Sequence, residues 1–210
     1  MKHLFIINPA AGSRDRTLEC SREIVQLCRD LDYRVEISKG PGDCRRLANA
    51  AARSGEEYRI YACGGDGTFN EVLRGAMGWA NAAVGCVPCG SGNDFIRNYG
   101  TAEQFLNLDA QLNGSEQAID LMETSAGLCA SICAAGLDAQ VAYGIPKFRR
   151  IPLCGGEMAY ALSIVEQLCG QIGRKIEYDI DGEKLTVDCL MCAICNGKAY
   201  GGGFLAAPEA

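Results

Sequence analysis

Gly64-Gly65-Asp66-Gly67-Thr68 joins residues able to hold a phosphate with one that should repel it. Three glycines in four positions let the backbone turn sharply and come close to a ligand. Their amides, with the start of a following helix, favour an anion such as phosphate. Asp66 opposes that anion unless a metal ion or a substrate hydroxyl lies between them. The combination points to phosphoryl transfer rather than passive nucleotide storage. The alternative is a tight strand-to-helix turn with Asp66 as helix cap.

Two further loops have the same character. The apolar run Ala82–Val87 leads into Pro88-Cys89-Gly90-Ser91-Gly92-Asn93-Asp94, again with glycines, a hydroxyl and an acid. The run Leu4–Ile7 leads into Asn8-Pro9-Ala10-Ala11-Gly12-Ser13. In a parallel sheet all three loops fall outside the carboxyl ends of the strands, where open α/β folds bind ligands.

Asn8-Pro9-x-x-Gly12, Gly64-Gly-Asp-Gly-Thr-x-Asn-Glu71 and Pro88-x-Gly-Ser-Gly-Asn-Asp-Phe95 together resemble the signature of the diacylglycerol kinase catalytic-domain family. Its relatives include bacterial lipid kinases and the sphingosine and ceramide kinases. Gly-Gly-Asp-Gly alone also occurs in NAD kinases and phosphofructokinases; the later Gly-Ser-Gly-Asn-Asp-Phe narrows the resemblance to the lipid kinase branch. The likeness continues through Ala118–Leu121, Ala135–Ala139, Asn196–Phe204 and Ala207-Pro208.

The resemblance implies an ATP- and magnesium-dependent kinase that phosphorylates a hydroxyl of diacylglycerol or a related lipid. It implies that Asn8, Pro9, Gly12, Gly64, Gly65, Asp66, Gly67, Thr68, Phe69 and Asn70 hold the nucleotide. Ser38, after the second strand, and Gly90, Ser91 and Asn93, after the fourth, join that set. Ser38 could equally be a plain loop residue. Asp66, Asp94 and Asp120 are the acids expected around magnesium, in part through water, and Asp66 is the expected catalytic residue. Magnesium keeps several waters, so few direct carboxylates are needed. Asp94 could instead cap a helix, and Asp120 could be a surface strand residue. An NAD kinase-like enzyme is the second reading. A nucleotide-binding chain without turnover is the third, because the family's Asp-Gly-x-Leu-Asp metal loop and its general-base glutamate follow the Ala207-Pro208 stretch and are expected beyond Ala210. Asp181-Gly182-Glu183 imitates the glutamate motif but lies upstream of Asn196, in a hairpin.

Composition sets bounds on these readings. A net charge of −6 argues against a nucleic-acid partner, which draws a basic footprint. No stretch reaches the ~18 apolar residues of a membrane span, and the first residues are too soon polar for a signal peptide. A cytoplasmic location, peripheral at the inner membrane face, is expected, with a lipid substrate at the membrane surface and a homodimer as a further expectation. The cluster Lys147-Phe-Arg-Arg-Ile-Pro-Leu153 could meet an anionic surface or be a solvated loop. Thirteen cysteines without an export signal fit a reducing compartment. The spacings Cys86/Cys89, Cys189/Cys192 and Cys192/Cys195 suggest zinc, but residues three apart on a strand face opposite ways unless the strand breaks. Cys89 lies inside the phosphate edge, where reactivity would matter. The single histidine, His3, cannot supply a histidine-based triad.

The elements that must position these residues follow from periodicity. Strands are expected over Lys2–Ile7, Tyr33–Ser38, Tyr58–Cys63 and Ala82–Val87, and helices over Arg14–Leu31, Asp43–Arg53 and Thr68–Met77. The Arg14–Leu31 helix is expected to bury Leu18, Ile24, Val25, Leu27 and Leu31. Alternation of this kind predicts a parallel α/β sheet. After Gly114, strands are expected over Glu116–Thr124, Gly127–Ala135, Arg174–Ile180 and Lys184–Cys195, with one helix over Glu157–Cys169. The expected fold is α/β: a nucleotide-binding domain over residues 1–117, like that of NAD kinase and diacylglycerol kinase. An incomplete antiparallel β-sandwich over residues 118–210 follows it and helps hold the lipid.

Overall fold

The computed structural model describes residues 1–125, 127–148, 150–151, 154–170, 172–201 and 203–210. Contacts group the chain into two compact units. One comprises Met1–Ser131 with Cys195–Ala210, the other Ile132–Ile194.

The first unit is built on four parallel strands in the order β2-β1-β3-β4: β1 Lys2–Ile7, β2 Tyr33–Ile37, β3 Tyr58–Gly64 and β4 Ala82–Pro88. Side chains alternate along β1 and β3 between two cores, as the pleat requires. Leu4, Ile6, Ile60 and Ala62 face α2 (Asp43–Ala52) and α3 (Asp66–Ala76). Phe5, Ile7, Tyr61 and Cys63 face α1 (Thr17–Leu27). Helix α3 turns Phe69, Val72, Leu73 and Ala76 inward, the i, i+3, i+4, i+7 stripe of an amphipathic helix.

Helix α1 corrects the expected stripe. It buries Cys20 and Ile24, with Cys28 at its C-cap also buried, while Leu18, Val25, Leu27 and Leu31 are exposed. At a 3.6-residue period Cys20, Ile24 and Cys28 share one face, whereas Leu18 and Leu27, nine residues apart, lie on opposite faces; the small cysteines pack close to the sheet. After β4, a short 3-10 turn (Phe95–Asn98) leads to α4 (Ala102–Leu106) and α5 (Leu108–Asn113). Helix α4 starts with a capping box between Thr101 and Gln104, and Asn107 caps α5.

Beyond Gly114 the strand Arg174–Ile180 forms as expected, while the other expected strands are shortened or split. Only Met122–Thr124 (β5) of the expected Glu116–Thr124 strand forms, pairing antiparallel with β6 (Gly127–Cys129). The chain returns to the first unit after Ile194. There the Asn196 side chain donates to the carbonyls of Asp120 and Ala130, at 2.8 and 3.2 Å. The Lys198 amide donates to the Asn98 side chain at 2.7 Å. Strands β11 (Ala199–Tyr200) and β12 (Phe204–Leu205) pair antiparallel.

The second unit holds β7 (Ile132–Gly136), paired with β10 (Met191–Cys195), and the antiparallel hairpin β8 (Arg174–Ile180)–β9 (Glu183–Cys189). Asp181 and Gly182 both take positive φ, as a tight hairpin turn demands. Helix α6 (Leu137–Phe148) forms where no element was expected and packs on α7 (Gly156–Leu168). Lys147 belongs to α6 and pairs with Glu166 of α7. Arg149, Pro152 and Leu153 of the basic cluster lie outside the described residues.

Candidate functional site: a cleft at the carboxyl edge of the sheet

Register brings the loops together. Ile7 stands opposite Ile37 and Cys63, Cys63 opposite Val87, and Gly64 opposite Pro88. All four strands therefore end level, and the loops after β1, β3 and β4 lie side by side. They enclose a cleft of about 470 Å³, within the range of small-molecule sites. Asn8, Gly12, Gly65, Asp66, Gly67, Thr68, Gly90 and Ser91 line it, with Gly40, Pro41, Cys44 and Glu71 from the α2 and α3 side.

Close backbone packing shapes the cleft. Gly12 has φ +77°, and a Cβ there would lie 2.2 Å from the Cys89 carbonyl oxygen. A Cβ on Gly65 would meet the Gly90 Cα at 3.0 Å. These glycines let three loops touch without side chains between them. Asn8 donates to the Thr68 hydroxyl at 2.9 Å, tying the first loop to α3. The Cys89 amide donates to the Gly64 carbonyl at 2.8 Å, tying β4 to β3.

Asp66 is the first residue of α3, and Gly65, not Asp66, is its N-cap. One Asp66 carboxylate oxygen accepts the Phe95 amide at 3.1 Å. The other lies 3.0 Å from where a Cβ on Gly92 would stand, with an Asp94 oxygen at 3.6 Å from the same point. Asp66 and Asp94 thus flank one short segment. Asp94 also pairs with Arg97 at 3.5 Å and makes no side-chain cap bond.

The remaining sequence-predicted residues take other positions. Asn93 has φ +54° and clasps Gly90 through both its amide atoms, at 3.1 and 2.7 Å, which fixes the loop from behind. Phe69 is buried, with its ring 4.0 Å from that of Phe95. Gly64 is buried at the end of β3, and Pro9 and the exposed Asn70 do not line the cleft. Ser38 is buried, and Cys44, not Ser38, lines the cleft wall. Asp120 is exposed, in a segment without regular structure. Among the described residues no three Asp, Glu, His or Cys side chains gather to hold a metal ion, so Asp66, Asp94 and Asp120 do not converge.

Glu71 was not foreseen as a site residue, although it closes the Gly-Gly-Asp-Gly-Thr-x-Asn-Glu motif. It sits one helical turn after Thr68 and lines the cleft. One of its oxygens accepts the Gly42 amide at 2.8 Å. The other is buried with no hydrogen-bond partner. A buried acceptor left unpaired is costly, so it marks a place for a ligand donor. The signal in the sequence was the i+3 spacing from Thr68.

The cysteine spacings resolve differently. The strand breaks at Leu190, and Cys189 and Cys192 both reach the Tyr178 hydroxyl, which pushes that phenol's pKa up. Cys89 meets not Cys86 but Cys20 of α1, at 3.9 Å between sulfurs.

The diacylglycerol kinase catalytic domain matches residues 2–124, and the YegS C-terminal NAD kinase beta sandwich-like domain matches residues 131–210. The chain belongs to the diacylglycerol kinase catalytic-domain family. It is similar to the diacylglycerol kinase of Bacillus subtilis, at 28% identity over 97% of this chain and 68% of that protein. It is also similar to a Pseudomonas putida protein called "Probable lipid kinase YegS-like", at 30% identity over 84% of this chain and 59% of that protein. The chain spans about 60% of the length of a similar Staphylococcus haemolyticus lipid kinase relative. A diacylglycerol kinase structure from Bacillus anthracis superposes with a TM-score of 0.72 at 18% identity, covering 99% of this chain and 70% of that one. That likeness supports the fold: a parallel sheet with helices, then antiparallel strands in a β-sandwich-like region. Among the described residues, no helix is long and apolar enough to cross a membrane.

Proposed function

We propose that this chain binds ATP in the carboxyl-edge cleft and transfers its γ-phosphate to a hydroxyl of diacylglycerol or a related lipid. The observation that carries the reading is the convergence of three glycine-rich loops on one cleft that also holds Asp66. Phosphoryl transfer asks a protein to place reactants in line and to stabilise charge. The amides of Gly12, Gly65 and Gly67 suit the phosphates, and Ser91 adds a hydroxyl. Glu71 offers its unpaired oxygen to an N–H or O–H of the nucleotide. Asp66 is held at one oxygen by Phe95, which leaves the other to orient a cation or the acceptor hydroxyl.

A divalent cation fits this site. Asp66 and Asp94 beside a triphosphate need a counter-charge, and magnesium bound mostly through water needs only one or two carboxylates. When bound, it neutralises charge on the transferring group. Functional roles are proposed to divide near residue 117, with nucleotide held before it and lipid met after it. A lipid substrate implies contact with a membrane surface from the aqueous side, and the location proposed is cytoplasmic and peripheral.

Titration calorimetry with ATP and magnesium tests the first half, and turnover of labelled ATP on mixed lipid vesicles tests the second. Saturable binding with phosphorylation of diacylglycerol is expected. Preference for NAD as acceptor would favour the NAD kinase-like reading. Absence of ATP binding would refute both.

A further inference from the structure

We propose that Cys20 and Cys89 are a peroxide-responsive thiol pair whose disulfide clamps the loop after β4 to α1 and weakens nucleotide binding in the cleft. The clause on nucleotide binding rests on the proposed function; the thiol chemistry does not.

The two residues are far apart in sequence, yet their sulfurs lie 3.9 Å apart in a hydrogen-bonded thiol pair. The Arg16 guanidinium stands 3.8 Å from the Cys89 sulfur. Cys20 is buried and Cys89 half-buried, so a small oxidant meets Cys89 first. The hydrogen bond from Cys20, then the Arg16 charge, favour the Cys89 thiolate and hold its pKa below the usual thiol value, against burial and the nearby Cys63 and Cys86. Cys20 is pushed the other way, by the same hydrogen bond, by burial and by Glu23. Greater exposure and the adjacent Arg16 charge assign the roles: Cys89 attacks and Cys20 resolves.

The chemistry balances with hydrogen peroxide as oxidant. The Cys89 thiolate attacks one peroxide oxygen; an S–O bond forms, the O–O bond breaks, and hydroxide leaves. Cys89 is now a sulfenic acid, oxidised by two electrons, and its negative charge no longer opposes ionisation of Cys20. The Cys20 sulfur then attacks that sulfur. An S–S bond forms, the S–O bond breaks, and the departing oxygen leaves as water with the Cys20 proton.

The consequence for the cleft is geometric. Bonded sulfurs stand about 2.05 Å apart, so the pair must close by nearly half its present separation. The Cys89 backbone cannot move alone. Its carbonyl rests against Gly12, its amide is bonded to Gly64, and Gly90 packs on Gly65. Movement of Cys89 therefore displaces contacts among all three loops at once.

The intact chain is treated with graded hydrogen peroxide, its free thiols are blocked, and its disulfides are mapped by peptide mass spectrometry. A Cys20–Cys89 linkage is expected first, and dithiothreitol should remove it. In C20S, and in C20A as a second variant, dimedone should trap a sulfenic acid on Cys89. A first linkage elsewhere, such as Cys189–Cys192, or no dimedone label on Cys89, would overturn the thiol pair. Hydrogen exchange of the Gly90–Asn93 amides should change on oxidation of the wild type and not of C20S or C20A; no change would overturn the clamp. ATP affinity should fall about tenfold on oxidation of the wild type alone. Equal affinity with the linkage in place would overturn the effect on the cleft. If the reduced protein binds no ATP, the proposed function fails, and linkage and exchange still decide the thiol pair and the clamp.

Discussion

The two ends of the parallel sheet carry hollows of nearly equal size and opposite character. The cleft at the carboxyl edge measures about 470 Å³ and the hollow at the amino edge about 520 Å³. The amino-edge hollow is lined by long charged side chains that largely satisfy one another. Lys2 there pairs with Glu56 at 2.8 Å and with Asp32 at 3.8 Å, and Arg34 pairs with Glu36. The carboxyl edge instead presents glycines, two amide-bound loops, Asp66 and an unpaired Glu71 oxygen. Volume does not separate a candidate site from a surface hollow here. What separates them is polar capacity left open for a ligand.

The largest expected effect that would sharpen this contrast is at Asp66. Asp66→Asn keeps the bond from the Phe95 amide and removes a charge from the cleft. Turnover should fall by about 10²-fold or more while ATP binding persists. Near-normal turnover in the labelled-ATP assay would break the assignment. Next comes Gly65→Ala. Its Cβ must push against Gly90 backbone at 3.0 Å, in the middle of the loop contact. ATP affinity should drop about tenfold, or 1.4 kcal/mol, in a calorimetric titration; unchanged affinity would mean the loop is only a turn. At the other edge, Lys2→Met removes two exposed ion pairs and should leave ATP affinity unchanged in the same titration.

The smallest effect concerns His3, beside the amino edge. It is buried, stacks on Tyr61, and lies 3.3 Å from the Tyr61 hydroxyl. Burial first, then the Arg59 charge, lower its pKa. The folded protein therefore resists protonation where the unfolded chain, near 6.5, accepts it. Above that value both states are neutral and pH has no effect through His3. Below it the unfolded state binds more protons, so stability falls as pH drops, until the folded state also titrates. Thermal melts from pH 7 to 5 should show a shallower decline for His3→Gln than for the wild type; parallel slopes would contradict this.

The same contrast explains what was legible in the sequence. The strand-end loops were, because glycines, apolar runs and short crossovers are local signals, and their shared edge follows from parallel topology. Glu71 was less visible because its unpaired oxygen depends on Gly42, far off in the chain, taking the other one. Ser38 is buried beside Cys44, and which of the two meets the cleft depends on tertiary packing that the sequence does not show. Asp120 was placed on a strand that ends up starting at Met122; Asn196, from the far end of the chain, takes the Asp120 carbonyl instead. The exposed leucines of α1 show the limit of periodicity. Cys20, Ile24 and Cys28 recur every fourth residue on the buried face, and the more apolar leucines beside them draw a hydrophobicity reading off that face. Helix α6 was missed because its Pro146 and Gly144 argue locally against a helix, while contact with α7 holds it.

The most direct measurement of the central claim is a hydrogen-exchange footprint of the intact protein with and without ATP and magnesium. Protection is expected on the amides of Asn8, Ala10–Gly12, Gly64–Thr68 and Gly90–Asn93, with the amino-edge residues Tyr33–Glu36 and Leu47–Ala51 unaffected. Protection at that opposite edge, or none on the three loops at saturating ATP, would contradict the assignment of the nucleotide to the carboxyl-edge cleft.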